Sequence, residues 1–186
     1  MRVDLAAFEQ RYAGATDPWG FADDHYEQRK YAITVASLPW RWYRHCFEPG
    51  CSIGALTERL ADVAEEVIAL EVSPTAADRA RDRLLGNGQV EVRTGSLPEA
   101  WPDGEFDLIV FSELGYYWDA VDLAGIAQRL RETLEPGGHL AAVHWLGESS
   151  DHLLGGHEVH NVLGRVFGTP LVHHDDIGFV LDVWST

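Results

Sequence analysis

From Arg44 onward the chain alternates short apolar runs with helix-like stripes: HCFEPG, GALTERLADVA, EVIALEV, SPTAADRARDRLL, VEVRTG, FDLIVFSEL, DLAGIAQRLRETL and HLAAVHWL. Such alternation builds βαβ units, in which each helix carries the chain back so that the next strand lies parallel to the last. Residues 108–111 and 141–143 are apolar at consecutive positions, without the in-and-out alternation of a half-exposed sheet, so helices should cover both faces. Leu56, Leu60, Val63 and Ala64 form one stripe at helical spacing, and Leu123, Ile126, Leu130 and Leu134 form another. Ser73 before Pro74 reads as an N-cap followed by a first-turn proline.

The last stretch, LVHHDDIGFVLDVWST, places a turn at Asp176, Ile177 and Gly178 between two strand-like runs and predicts an antiparallel hairpin. Residues 1–43 hold two helical segments around DPWGF, the first capped by Asp4 and the second closed at Pro39. No internal repeat interrupts this order, and 186 residues with 46% hydrophobic content predict a single domain over 1–186. Its fold class is α/β: a Rossmann-like, doubly wound, mostly parallel sheet over 44–186 with a C-terminal antiparallel edge, preceded by N-terminal helices.

Charge excludes one class of partner. With 14 basic and 30 acidic residues the net charge is −16, and a nucleic acid would be repelled over most of the surface. Cys46 and Cys51 match neither a zinc spacing nor a disulfide framework, so a reducing, cytoplasmic setting is expected. No apolar run approaches the roughly 18 residues needed to span a bilayer, and MRVDLAAFEQRY lacks a signal-peptide core; neither membrane insertion nor export is expected.

The first strand passes through FEPGCSIGALTERLA, a glycine-containing turn at the place where doubly wound sheets bind ligands. A dinucleotide fingerprint would need a glycine where Ser52 stands, and Glu48 at the strand tip would repel a diphosphate. The same carboxylate suits an ammonium group. Glu71 ends the next strand 17 residues after Gly54, where an acid accepts hydrogen bonds from two ribose hydroxyls. Glu48, Gly50, Gly54 and Glu71 together describe a ribonucleoside with a cationic amino acid tail and no phosphate, terms that S-adenosylmethionine meets.

The combination of DPW with YEQRKY, the EPGCSIG loop, SELGYYW, LEPGGHLAAVHW and GFVLDVW resembles the nodulation protein S family of class I S-adenosylmethionine-dependent methyltransferases across nearly the whole chain. The resemblance implies that Glu48, Gly50, Cys51, Ser52 and Gly54 contact the methionine part of S-adenosylmethionine, that Glu71 binds the ribose, and that Ser96 and Leu97 hold the adenine. It further implies that Trp19 and Arg29 belong to an N-terminal lid over the cofactor. This chain departs from the family pattern in having Glu71 for an aspartate, Gly115 for an apolar residue and His157 for an acid. The last two departures lie on the expected acceptor side.

Methyl transfer from a sulfonium is an in-line displacement for which the protein chiefly aligns and desolvates. The family implies a small polar acceptor, an amino sugar or related amine, whose nitrogen must lose a proton before attack. Glu113, Tyr117 and His144, at the carboxyl ends of the fourth and fifth strands, are the candidate catalytic residues: Glu113 to orient the amine or take its proton, Tyr117 to shape the channel, His144 as base. In GHEVH, His157 and His160 lie at i and i+3, unlike a zinc-binding H-E-x-x-H, so a substrate-facing role is expected and no metal. O- or C-methylation, a nicotinamide-dependent oxidoreductase and a non-catalytic S-adenosylmethionine-binding module stay open as alternatives.

Overall fold

A computed structural model describes residues 5–186. Fourteen elements follow in order: α1 (Leu5–Gly14), α2 (His25–Ala36), β1 (Tyr43–Pro49), α3 (Ala55–Leu60), β2 (Ala64–Glu71), α4 (Pro74–Arg83), β3 (Val90–Thr94), β4 (Phe106–Ser112), a single 3-10 turn (Gly115–Tyr117), α5 (Ala120–Thr133), β5 (Leu134–Trp145), α6 (Gly156–Phe167), β6 (Val172–Asp175) and β7 (Phe179–Ser185). Strand order is β3-β2-β1 before Asp103 and β4-β5-β7-β6 after it. The expected α/β class, mostly parallel with a C-terminal antiparallel edge, is the one found. Two compact units divide the chain, one running up to Asp103 and one from Gly104.

In the first unit β1, β2 and β3 pair in parallel, with Glu48 opposite Ala69 and Glu71 opposite Thr94. Ser73 caps α4 by accepting the Ala76 amide at 3.1 Å, with Pro74 in the first turn. Asp24 caps α2, which stops at Ala36, ahead of Pro39. The expected cap at Asp4 lies outside the described residues.

The predicted stripe over Leu56, Leu60, Val63 and Ala64 does not stay helical. α3 ends at Leu60, the amides of Asp62 and Val63 turn back to Arg59 and Leu60, and Ala64 begins β2 opposite Tyr43. A short apolar run satisfies a helix face or a covered strand equally well, and here strand pairing with β1 wins. Leu134 likewise opens β5, opposite Phe106, where its stripe predicted a continuation of α5.

In the second unit every residue of β4 is buried, as the consecutive apolar residues 108–111 imply for a strand covered on both faces. Each such Leu, Ile, Val or Phe contributes about 1.5–3 kcal/mol by leaving water. β4 and β5 pair in parallel, bringing Ser112 opposite Val143. β7 returns antiparallel to β5, placing Asp182 opposite Ala142 and Val180 opposite His144. The hairpin into β7 closes as expected, with the Asp176 amide donating to the Phe179 carbonyl at 2.9 Å.

Candidate active site

At the end of β1 the chain curls through three positive-φ residues, Gly50 (79°), Ser52 (53°) and Gly54 (79°). The Gly50 and Cys51 amides both donate to the Leu70 carbonyl, at 2.7 and 3.0 Å, so the turn is fastened to the end of β2. The Ser52 amide donates to Glu71 Oε2 and the Ser73 amide to Glu71 Oε1, each at 2.8 Å. Glu71 therefore stands between the turn after β1 and the cap of α4. Burial raises its pKa, while those backbone amides oppose the shift. From its main chain the Glu71 carbonyl accepts the Gly95 amide at 2.8 Å, drawing the turn of Ser96 and Leu97 to the same place. Leu97 is buried and Ser96 half-buried.

Glu48 is 2% exposed, and its Oε2 has no hydrogen-bond partner among the described residues. Burial pushes its pKa up to about 7, with the nearby Glu71 charge adding to the effect. A buried carboxylate oxygen without a donor is costly unless a ligand supplies one. An ammonium group can donate to that oxygen; an ionised phosphodiester has no proton to donate. Gly50, Ser52 and Glu71 thus gather backbone and carboxylate around a position suited to an aminoacyl nucleoside.

Two members of the predicted set also serve the packing of the turn. Cys51 packs its side chain into the core with Ala69, Ala80 and Leu84, and its thiol donates to the Ser52 carbonyl at 3.7 Å. Gly54 combines a φ of 79° with close packing: a Cβ there would lie 3.2 Å from the Ala80 Cβ on α4.

The N-terminal residues reach the same turn through side chains that the sequence reading passed over. Tyr12 on α1 shares a hydrogen bond between its hydroxyl and Ser52 Oγ. Glu9 accepts from Ser73 Oγ at 2.6 Å and from the Thr75 amide at 3.2 Å. Trp19 stacks on Phe21 with centroids 5.6 Å apart, meets Tyr12 edge-on at 5.3 Å, and lies under the Arg11 guanidinium. Arg29 is exposed on α2, whereas its neighbour Lys30 is buried against Glu27 at 2.9 Å. The spacing of an i, i+3 pair was the one available signal for Glu27 and Lys30.

Within the second unit Glu113 follows β4 with φ +54°, a left-handed backbone on a residue that is not glycine. Its amide donates to the Val143 carbonyl at 2.9 Å and its Oε2 accepts the Trp145 amide at 3.3 Å. The 3-10 turn then presents Tyr116 and Tyr117. Tyr116 stacks on His152 at 4.0 Å, and Tyr117 meets the same imidazole edge-on at 5.4 Å.

His144 departs from its expected role. It is fully buried, its Nε2 accepts the Gly115 amide at 3.0 Å, and its Nδ1 faces His160 Nε2 at 3.1 Å. With the Nε2 lone pair committed to a backbone amide, it has no site left to receive a proton from an amine. His160, expected to face substrate, is instead buried against Asp182 at 2.6 Å, while His157 points outward on the same helix.

The sequence model of the family described as nodulation protein S (NodS) matches residues 4–162. The chain belongs to the nodulation protein S family. It is 31% identical over 132 residues to nodulation protein S of Rhizobium tropici, a match covering 70% of this chain and 56% of that protein. Nodulation protein S of Sinorhizobium fredii is 30% identical over 134 residues, covering 70% and 61%. The chain therefore spans about three fifths of the length of these nodulation protein S relatives. Among solved structures, a candidate methyltransferase of Pseudomonas syringae is 39% identical with a TM-score of 0.78, over 88% of this chain and 100% of that one. The N-methyltransferase NodS of Bradyrhizobium japonicum WM9, solved with S-adenosyl-L-homocysteine, superposes with a TM-score of 0.83 at 23% identity, over 98% of each chain, and shares the fold. No helix among the described residues of this nodulation protein S relative is long and apolar enough to cross a membrane.

Proposed function

We propose that the protein is an S-adenosylmethionine-dependent N-methyltransferase acting on a small polar amine, an amino sugar in particular, in the reducing cytoplasm where Cys46 and Cys51 stay free thiols. The observation that carries this reading is the buried Glu48 oxygen without a donor, set in the same turn system as the doubly bonded Glu71. Nodulation protein S relatives, one of them named as an N-methyltransferase, support the choice of reaction.

When bound, S-adenosylmethionine supplies an electrophilic methyl group on a sulfonium. Glu48 and the Gly50–Gly54 turn would hold its aminoacyl end, Glu71 its ribose, and the Ser96–Leu97 turn its base. Trp19, braced by Tyr12 and Phe21, excludes water from that side. Glu113 orients the acceptor nitrogen and takes its proton, held ready at the tip of β4 by the Val143 carbonyl. Tyr117 narrows the approach. A nicotinamide dinucleotide is disfavoured, because its diphosphate would meet Glu48 and a serine where the fingerprint needs glycine.

Incubation with methyl-labelled S-adenosylmethionine and a panel of amino sugars tests this reading. Label on nitrogen supports it. Label on hydroxyl or carbon acceptors alone would overturn the amine assignment, and the lack of any transfer would leave a cofactor-binding module.

A further inference from the structure

A chain of buried polar side chains runs behind the turn that carries Tyr116 and Tyr117. The Gly115 amide donates to His144 Nε2 at 3.0 Å; His144 Nδ1 lies 3.1 Å from His160 Nε2; His160 Nδ1 lies 2.6 Å from Asp182 Oδ2; and Asp182 Oδ1 lies 2.7 Å from His173 Nδ1. His144, His160 and Asp182 are buried, whereas the His173 side chain is 55% exposed. Four elements contribute: β5, α6, β7 and β6.

Proton positions follow from one fixed donor. A neutral imidazole carries a single N–H. Because the Gly115 amide can only donate, His144 Nε2 accepts, and the His144 proton resides on Nδ1. That N–H donates to His160 Nε2, so the His160 proton resides on its own Nδ1 and donates to Asp182. The Asp182 carboxylate, which can only accept, imposes the same assignment from the other end through two rings, in the manner by which a partner on one imidazole nitrogen decides the state of the other.

Burying two imidazoles and a carboxylate is expensive, and apolar side chains would fill the same space between β5, α6 and β7 with less penalty. The chain's product is a held Gly115 amide. Gly115 is pressed so closely there that a Cβ would come 2.3 Å from Val159 Cγ1 and 2.9 Å from His144 Nε2. The Tyr116 ring also lies edge-on to His144 at 5.1 Å. Two residues before Gly115 stands Glu113, in its left-handed conformation.

We propose that His144, His160 and Asp182 are positioning residues: Asp182 sets the tautomer of both imidazoles, and His144 Nε2 then fixes the Gly115 turn, and with it Glu113 and Tyr117, beside the acceptor. This rests on the preceding assignment of Glu113 and Tyr117 to the acceptor side. His144 acts through the turn and exchanges no proton with substrate. The same crowding gives a physical reason for glycine at position 115, since a Cβ there would collide with Val159 and press on the His144 imidazole.

The test uses the full chain labelled with nitrogen-15 histidine, read by NMR at neutral pH, together with exchange of the Gly115 amide. Both His144 and His160 should carry their proton on Nδ1. In His160→Phe the His144 Nδ1 proton loses its acceptor, so the fixed tautomer should be lost and the Gly115 amide should exchange about tenfold faster or more. Methyl transfer should fall about ten- to a hundredfold in kcat, with the Kd for S-adenosylhomocysteine unchanged. His160→Gln offers an oxygen toward His144 and an N–H toward Asp182, and should restore both amide protection and kcat. A proton on Nε2 of either ring in the parent protein overturns the proposal, as does equal Gly115 exchange in the parent and His160→Phe. Should His160→Phe fail to fold, the parent spectrum and the Gln variant decide. Absence of methyl transfer to every amine would count against the proposed reaction, while the tautomers and the amide exchange would still report on the chain.

Discussion

Glu71 accepts the Ser52 amide on one carboxylate oxygen and the Ser73 amide on the other, both at 2.8 Å, so one side chain at the tip of β2 holds the turn after β1 and the cap of α4 together. The lone pairs that the backbone amides leave open are the ones proposed to accept ribose hydroxyls. Glutamine cannot reproduce this arrangement, because its NH2 group would face one of the two amide donors. Glu71→Gln should lower stability by about 1–3 kcal/mol, read by urea denaturation. Calorimetry should show S-adenosylhomocysteine affinity falling at least about tenfold, the equivalent of 1.4 kcal/mol. Retention of both would show that the carboxylate is dispensable.

Burial pushes the Glu48 pKa up to about 7, so the proposed ammonium contact predicts cofactor binding that depends on pH. The unfolded chain carries this group near its ordinary 4.5, so between 4.5 and 7 the folded state binds the extra proton and stability falls as pH rises through that window. An ammonium ligand prefers the ionised form. Its affinity should therefore rise as pH climbs toward and through 7, by up to about tenfold per pH unit on the acid side, with proton release on binding. Glu48→Gln should flatten the profile. An S-adenosylhomocysteine Kd independent of pH between 6 and 8 in the parent would count against an ammonium at this carboxylate.

Much of this fold was legible because covered strands, helix stripes and Gly or Pro punctuation each leave a separate mark: the run FDLIVFS, the Ser73-Pro74 cap and the turn at Ile177-Gly178 all sit where the sequence put them. The end of α3 was not legible, since Val63 and Ala64 suit either period. Within the site, Glu48 and Glu71 could be placed because strand tips and glycine turns have sequence signatures. Contacts between residues far apart in sequence have none. Glu9 meets Ser73 across 64 positions and His160 meets Asp182 across 22, and neither pairing is written in a local pattern. For His144 the sequence showed a histidine at a strand end but not that both ring nitrogens were already engaged.

Glu113 holds a left-handed backbone that glycine would adopt without strain. Glu113→Gly should raise stability by about 1 kcal/mol, or leave it level where the lost Trp145 contact offsets the relief. Activity should nonetheless drop, at least about a hundredfold in kcat if the carboxylate takes the amine proton. Thermal unfolding and steady-state kinetics on one preparation check both halves. A variant that is more stable and equally active would reduce Glu113 to a turn former.

α1 rests on the N-terminus of α4 through Glu9, which receives the hydroxyls of Ser73 and Thr75 and the Thr75 amide. Those hydrogen bonds, the Ser73 hydroxyl first, hold the Glu9 carboxyl below its ordinary pKa. A depressed carboxylate contributes to docking above its unfolded pKa and loses that contribution as pH falls through the lower, folded value. Ser73 and Thr75 stand two and four residues after Glu71, so the α1 contact and the carboxylate proposed to bind ribose share one stretch of backbone. Loosening α1 should therefore show in cofactor retention before it shows in global unfolding. Glu9→Ala should speed tryptic cleavage at Arg11 and raise the dissociation rate of S-adenosylhomocysteine, while the unfolding midpoint changes little. Acidifying the parent protein should reproduce the faster cleavage, measured with a protease active at low pH. Equal cleavage rates in Glu9→Ala and parent at neutral pH would show that the aromatic contacts of Tyr12 and Trp19 hold α1 without it.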